Sequence, residues 1–234
     1  MIKILVILVL IFYIVALLFI FIYSITQATL IWRYIKNRNK ISSHLKDPTY
    51  FPYITVQLPV YNELYVVERL IDNICNLNYP KDKLQIQVLD DSTDETVDIV
   101  HLKVEEWRRT GVNIEHIHRI NRIGYKAGAL EAGLESATGE YIAIFDSDFL
   151  PGLDFLLKTV PFFIDPRVGM VQTKWEHLNR NYSLLTKLQA FGLDAHFTVE
   201  QLGRNYNDGF INFNGTAGIW RKSCIVDSGN WQPD

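Results

Sequence analysis

At 234 residues, with 26 acidic against 23 basic side chains, the chain has room for one domain or two small ones. The charge is unevenly spread. Residues 1–40 hold no Asp or Glu but five basic residues, Lys3, Arg33, Lys36, Arg38 and Lys40, so the remainder is strongly acidic. An acidic domain has no broad attraction for nucleic acid, and any phosphate it binds must be held locally by a metal, a lysine or backbone amides.

From Ile4 to Tyr23 every residue is apolar or aromatic. A helix of roughly 20 such residues crosses the hydrocarbon core of a bilayer. The run exceeds the roughly 7–15 apolar residues of a cleaved signal peptide, and no small-residue cleavage site follows it. Residues 1–40 are therefore predicted to be a transmembrane anchor with a basic flank. Four basic residues follow the apolar run and only Lys3 precedes it, which predicts that the rest of the chain faces the cytoplasm. In that compartment Cys75 and Cys224 are ordinary reduced thiols.

Residues 41–51 read as a polar linker to a soluble domain over 52–234. Within it, Thr55–Val60 is a short buried strand, and apolar spacing in Glu63–Leu77 predicts a helix that Asn78-Tyr-Pro80 stops. Leu84–Leu89 is a second strand. Ser92 and Glu95 form a capping-box pattern that opens a helix reaching Gly111. Ile114–Ile117 is a third strand, Lys126–Ser136 a helix, Tyr141–Phe145 a fourth strand, and Leu184 to about Gly203 a long helix. Strands alternating with helices predict an α/β fold, a mostly parallel sheet with helices on both faces. Ligands of such sheets sit beyond the carboxyl ends of the strands.

Polar residues cluster at those ends. Tyr61, Asn62 and Glu63 follow the first strand, Asp90 and Asp91 the second, Asp146 and Asp148 the fourth. Asp146 and Asp148 are two residues apart and supply hard oxygen ligands suited to Mg2+ or Mn2+ and a diphosphate, although a lone D-x-D also occurs as a solvated turn. Asp91 suits a helix cap, but two adjacent carboxylates exceed what capping needs and favour contact with a nucleotide. Gly124-Tyr-Lys126-Ala-Gly128 combines free amides with a compact positive charge, a plausible diphosphate clamp. The stretch Asn212–Gly218 mixes amide, glycine and aromatic residues and is a candidate sugar-binding surface. Trp175, Tyr206, Trp220 and Trp231, taken singly, read as packing residues. His196, Glu200 and Gln201 share one helix face and read as a hydrogen-bonded network rather than a metal site.

Together, P-V-Y-N-E (59–63), L-D-D-S-T-D (89–94), K-A-G-A-L (126–130), F-D-S-D-F (145–149), V-Q-T (171–173) and F-N-G-T-A-G (213–218) resemble glycosyltransferase family 2. Their order is most similar to the cellulose-synthase-like, glucomannan 4-β-mannosyltransferase branch. The resemblance implies a GT-A (Rossmann-like) fold over 52–234 and inverting transfer of mannose or glucose from GDP-mannose or UDP-glucose to a β-linked glycan acceptor. It places Tyr61, Asn62, Glu63, Asp90, Asp91, Lys126 and Asp146 at the donor, Asp146 and Asp148 on Mg2+ or Mn2+, and Phe213, Asn214, Gly215 and Thr216 at the acceptor. It further implies a plasma (inner) membrane enzyme with a cytoplasmic catalytic domain.

The family's general-base aspartate lies in a T-E-D motif, and Q-x-x-R-W comes later still. Both are expected beyond Asp234, so no catalytic base is assigned within 1–234 and a C-terminal half is expected to be missing. The competing expectations are a catalytically incomplete fragment and a non-catalytic membrane partner that binds nucleotide sugar. A nucleotidyltransferase is set aside, because that class places a glycine-rich basic loop where Tyr61-Asn-Glu63 stands.

Overall fold

The computed structural model of the chain describes residues 2–37, 51–206 and 209–232. Most of the expected linker, the basic residues Arg38 and Lys40, and Asp234 lie outside the described residues. In chain order the first elements are α1 (Ile2–Asn37), β1 (Ile54–Val60), α2 (Val67–Cys75), β2 (Leu84–Asp90), α3 (Thr96–Arg109), β3 (Ile114–His118) and α4 (Tyr125–Ser136). There follow β4 (Tyr141–Ile144), α5 (Phe155–Thr159), β5 (Met170–Gln172), α6 (Leu184–Ala195), α7 (Leu202–Asn205), β6 (Gly218–Arg221) and α8 (Lys222–Asp227). The chain divides into two compact units, Met1–Ser43 with Lys174–Asn212, and His44–Thr173 with Phe213–Asp234. That division differs from the sequential anchor, linker and domain expected from composition.

The first unit is helical. α1 has 36 residues, about 54 Å at ~1.5 Å per residue, and is long and apolar enough to cross a membrane. Its large side chains from Ile4 to Ile25 are mostly exposed, a surface suited to lipid rather than water. The hydroxyls of Ser24 and Thr26 donate to the carbonyls of Ile20 and Ile22, so they carry no unsatisfied donor into hydrocarbon. Leu30 is buried where Gly203 of α7 meets it. A Cβ on Gly203 would lie 3.0 Å from the Leu30 carbonyl oxygen. α6 starts with Ser183 and Thr186 in a reciprocal cap. The helix expected to run on to Gly203 instead widens into a π-helical stretch, His196–Gln201, before α7. There His196 Nδ1 lies 3.0 Å from Glu200 Oε2, and Gln201 Nε2 donates to the Asn212 carbonyl, which is the hydrogen-bonded arrangement expected.

The second unit is built on a six-stranded sheet in the order β3-β2-β1-β4-β6-β5. β3, β2, β1 and β4 are parallel, with Ile54 opposite both Leu84 and Tyr141, so their carboxyl ends form one rim. The four expected strands are these. β5 and β6 were not among them; they add antiparallel pairs beside β4 and are only three and four residues long. β1 and β2 are buried along nearly their whole length, as strands covered on both faces are.

One face carries a polar layer. Gln57 Nε2 donates to Gln87 Oε1, Thr55 Oγ1 to Gln85 Oε1, and Gln85 and Gln87 both donate to Glu115. α4 lies on this face and packs Leu130 and Leu134 against Leu89, Ile142 and Ile144. The capping box expected at Ser92 and Glu95 does not form. α3 begins at Thr96, whose N–H donates to Asp94 Oδ1, and it ends at Arg109. Ser92 Oγ instead accepts from the Asn62 N–H, a bond between the loops after β1 and β2 that outcompetes the local cap.

Candidate active site

A cleft of about 340 Å³ opens on the rim of the second unit. It is lined by Tyr61 and Glu63 after β1, Asp91 after β2, Arg122 and Lys126 around the start of α4, and Asp146, Ser147 and Asp148 after β4. Parallel register brings these separate segments together, because each strand delivers its following loop to the same edge. Carboxylates from three strand ends therefore face one lysine and one arginine.

Lys126 occupies the centre of this arrangement. Gly124 takes the left-handed conformation (φ +73°) that turns the chain into α4, and Gly128 sits so close beneath it that a Cβ would lie 2.1 Å from the Ile123 carbonyl oxygen. This compact opening sets the lysine over the rim. Its ammonium pairs with Asp146 and donates to the Gly215 carbonyl at 2.8 Å. The Asp146 N–H donates to Thr216 Oγ1, and Gln172 of β5 braces the same loop by accepting from the Asn214 N–H and donating to the Thr216 carbonyl. The expected donor and acceptor segments thus meet at Lys126 and Asp146. Phe213 packs edge-on against Trp220, which in turn meets Trp231.

Asp90 and Asp91, expected to act as a pair, face apart, as neighbours along a strand must. Asp91 lines the cleft, and both its oxygens accept from Arg119, at 2.7 Å from Nε and 2.6 Å from Nη2. It caps no helix. Asp90 is fully buried and does not line the cleft. Burial would push its carboxyl up, but hydrogen bonds from His116 and Ser92 outweigh that and hold it below the ordinary carboxylate value. Asn62 does not line the cleft either. In a left-handed conformation (φ +54°), which asparagine tolerates, its side chain accepts from the Thr93 N–H and joins two loops.

Sequence reasoning missed Arg119 and Arg122 beside this rim, and His116 and His118 behind it against Asp90. Arg119 also donates to the carbonyls of Ile123 and Tyr125, fixing the turn before Lys126, and Arg122 lies 3.4 Å over the Tyr61 ring. An Arg–carboxylate fork between a strand end and a distant loop leaves no local spacing to read. The only signal was the density of basic and histidine residues in His116–Arg122.

The profile of the family described as Glycosyl transferase family 2 matches residues 55–226. The chain belongs to glycosyltransferase family 2. Among relatives of this family 2 chain, a probable glucomannan 4-beta-mannosyltransferase 4 of Oryza sativa subsp. japonica is 46% identical over 192 residues, covering 80% of this chain and 35% of that protein. Glucomannan 4-beta-mannosyltransferase 1 of Cyamopsis tetragonoloba is 41% identical over 206 residues, covering 86% and 39%. The chain thus spans little more than a third of the length of these relatives. Among solved structures, the mannosyltransferase PcManGT from Pyrobaculum calidifontis, in complex with GDP-Man and Mn2+, matches with TM-score 0.67 and 28% identity, over 88% of this chain and 56% of that one. S. aureus TarS matches with TM-score 0.56 and 20% identity, over 77% of this chain and 30% of that one, a likeness of fold. The architecture of the second unit is the GT-A fold.

Proposed function

We propose that the chain binds a nucleotide diphosphate sugar in the cleft and serves inverting transfer of a hexose to a β-linked glycan. The observation that carries this reading is the convergence of Asp91, Asp146, Asp148 and Lys126 on one cleft at the rim of the sheet. GDP-mannose is favoured over UDP-glucose, because relatives are named as glucomannan mannosyltransferases and a neighbour was solved with GDP-Man.

The residue types suit a hard divalent cation: Asp146 and Asp148 both line the same cleft. In this reading they hold Mg2+ or Mn2+, which when bound neutralises charge on the departing diphosphate. Lys126 holds a phosphate oxygen and keeps Asp146 oriented. Tyr61, Glu63 and Asp91 border the base and ribose, with Asp90 and Asn62 supporting their loops from behind. Phe213, Asn214, Gly215 and Thr216 form the approach for the acceptor. We assign the proton-abstracting base to none of these residues. Arg33 and Lys36 at the end of α1, with Arg38 and Lys40 after them, support an orientation that places the cleft on the cytoplasmic side of a plasma membrane.

The test is calorimetric titration of the detergent-solubilised chain with GDP-mannose and UDP-glucose, with Mn2+ and with chelator. Metal-dependent donor binding is expected, weakened at least tenfold in Asp146→Asn/Asp148→Asn. Equal affinity with and without the carboxylates would refute the reading.

A further inference from the structure

On the other side of β2 from the cleft lies a group of side chains that the proposed transfer does not use. In the β2–β3 register Asp90 stands opposite His118 and Val88 opposite His116. Asp90, His116 and His118 therefore project from the same face of the sheet. His116 Nε2 lies 2.9 Å from Asp90 Oδ2, His118 Nδ1 lies 3.5 Å from the same oxygen, and the three donor atoms all fall within 4.8 Å of one another.

A hydrogen bond to His116 satisfies Asp90 Oδ2, and the Ser92 N–H satisfies Oδ1. His118 is then superfluous: its nitrogen is too far from the carboxylate for a good hydrogen bond. Its distance has another meaning. Donors bonded at ~2.0–2.1 Å to a tetrahedral zinc ion are ~3.3–3.5 Å from each other. Among the described residues no other group of three His, Cys, Asp or Glu side chains meets that proximity.

We propose that Asp90, His116 and His118 form a second divalent-metal site, of the zinc class, separate from the Asp146 and Asp148 carboxylates. Two imidazoles and one carboxylate are the donor set for Zn2+, Co2+ or Cu2+ rather than for Mg2+. One negative charge offsets half of the cation's, and three protein ligands leave a coordination position for water. Asp90 and His116 are sunk in the protein, whereas about a third of the His118 side chain is exposed, which gives an ion its way in. A metal held there ties the end of β2 to the edge strand β3 just before Arg119. It would stiffen the turn that carries Arg122 and Lys126 without touching the donor.

The experiment uses the full chain in detergent after chelator treatment, with Co2+ as the probe and Zn2+ as competitor. One equivalent of Co2+ should give the visible absorption of a four-coordinate nitrogen–oxygen site, bleached by Zn2+ and unaffected by millimolar Mg2+. Asp146→Asn/Asp148→Asn should keep this signal even if donor binding is lost, so this site and the donor site are judged separately. His118→Ala, at a partly exposed position, and His116→Gln, which can still donate to Asp90, should each weaken Co2+ by roughly 10- to 100-fold or more, since even outer-shell changes have effects of that size. Zn2+ should raise the melting temperature of the parent and not of these variants. Absence of saturable Co2+ binding in the parent, or binding unchanged in His118→Ala with native circular dichroism, would overturn the proposal.

Discussion

At Arg119 a single guanidinium takes both oxygens of Asp91 and two carbonyls of the turn before Lys126. The pair is nearly inaccessible, with 16% and 4% of the side chains exposed, so removing one partner strands a buried charge. Such a loss costs about 3–5 kcal/mol. Arg119→Ala should lower the melting temperature accordingly. Arg119→Lys should fold better yet still bind donor weakly, because an ammonium cannot reproduce a planar fork. Denaturation curves alongside donor titrations separate the two effects.

Cys75 offers a pH test at the same scale. Burial is the main reason its thiol is pushed up to about 12 from 9.0. A folded pKa above the unfolded one favours the fold fully below pH 9 and loses that contribution as pH rises from 9 towards 12. Melting temperature measured over that range should fall less steeply in Cys75→Val than in the parent.

Among the elements, α4 shows how a helix is fitted to a sheet through small residues. A Cβ on Gly133 would lie 2.6 Å from Gln57 Nε2 and 2.7 Å from Leu89 Cδ2, inside the polar layer and the apolar cluster at once. Gly133→Ala is expected to destabilise by about 1–3 kcal/mol through overpacking despite alanine's better helix propensity, a sign that thermal melts can check. The helix itself was legible from Lys126–Ser136, but the reason for its glycines was not, since those contacts come from β1 and β2. β5 and β6 escaped notice for a related reason: runs of three and four residues have too little length to show a period, and only the pairing of β6 with β4, and of β5 with β6, makes them strands. At Ser92 a local capping pattern lost to a contact with Asn62, 30 residues away.

For the whole molecule, α1 has the length and apolar surface of a membrane span, and the expectation that it anchors the chain can be tested. The full chain should remain in the pellet after an alkaline carbonate wash and enter solution only with detergent. Deleting residues 2–25 spares Leu30, which packs on α7, and should move the chain largely into the wash; sedimentation and blotting read the outcome. Retention of the deleted form in the pellet would count against α1 as the anchor.

Sequence alone determined the membrane-length helix, the alternation that builds a parallel sheet, and the acidic rim, because each is written in residues near one another along the chain. Tertiary structure decided that Asp91 belongs to Arg119 and that Asp90 turns away towards two histidines. It also decided that Lys126 meets Asp146 beside Gly215. Those relations depend on strand register and on loops up to 89 residues apart in sequence closing on one edge, and no local period encodes them.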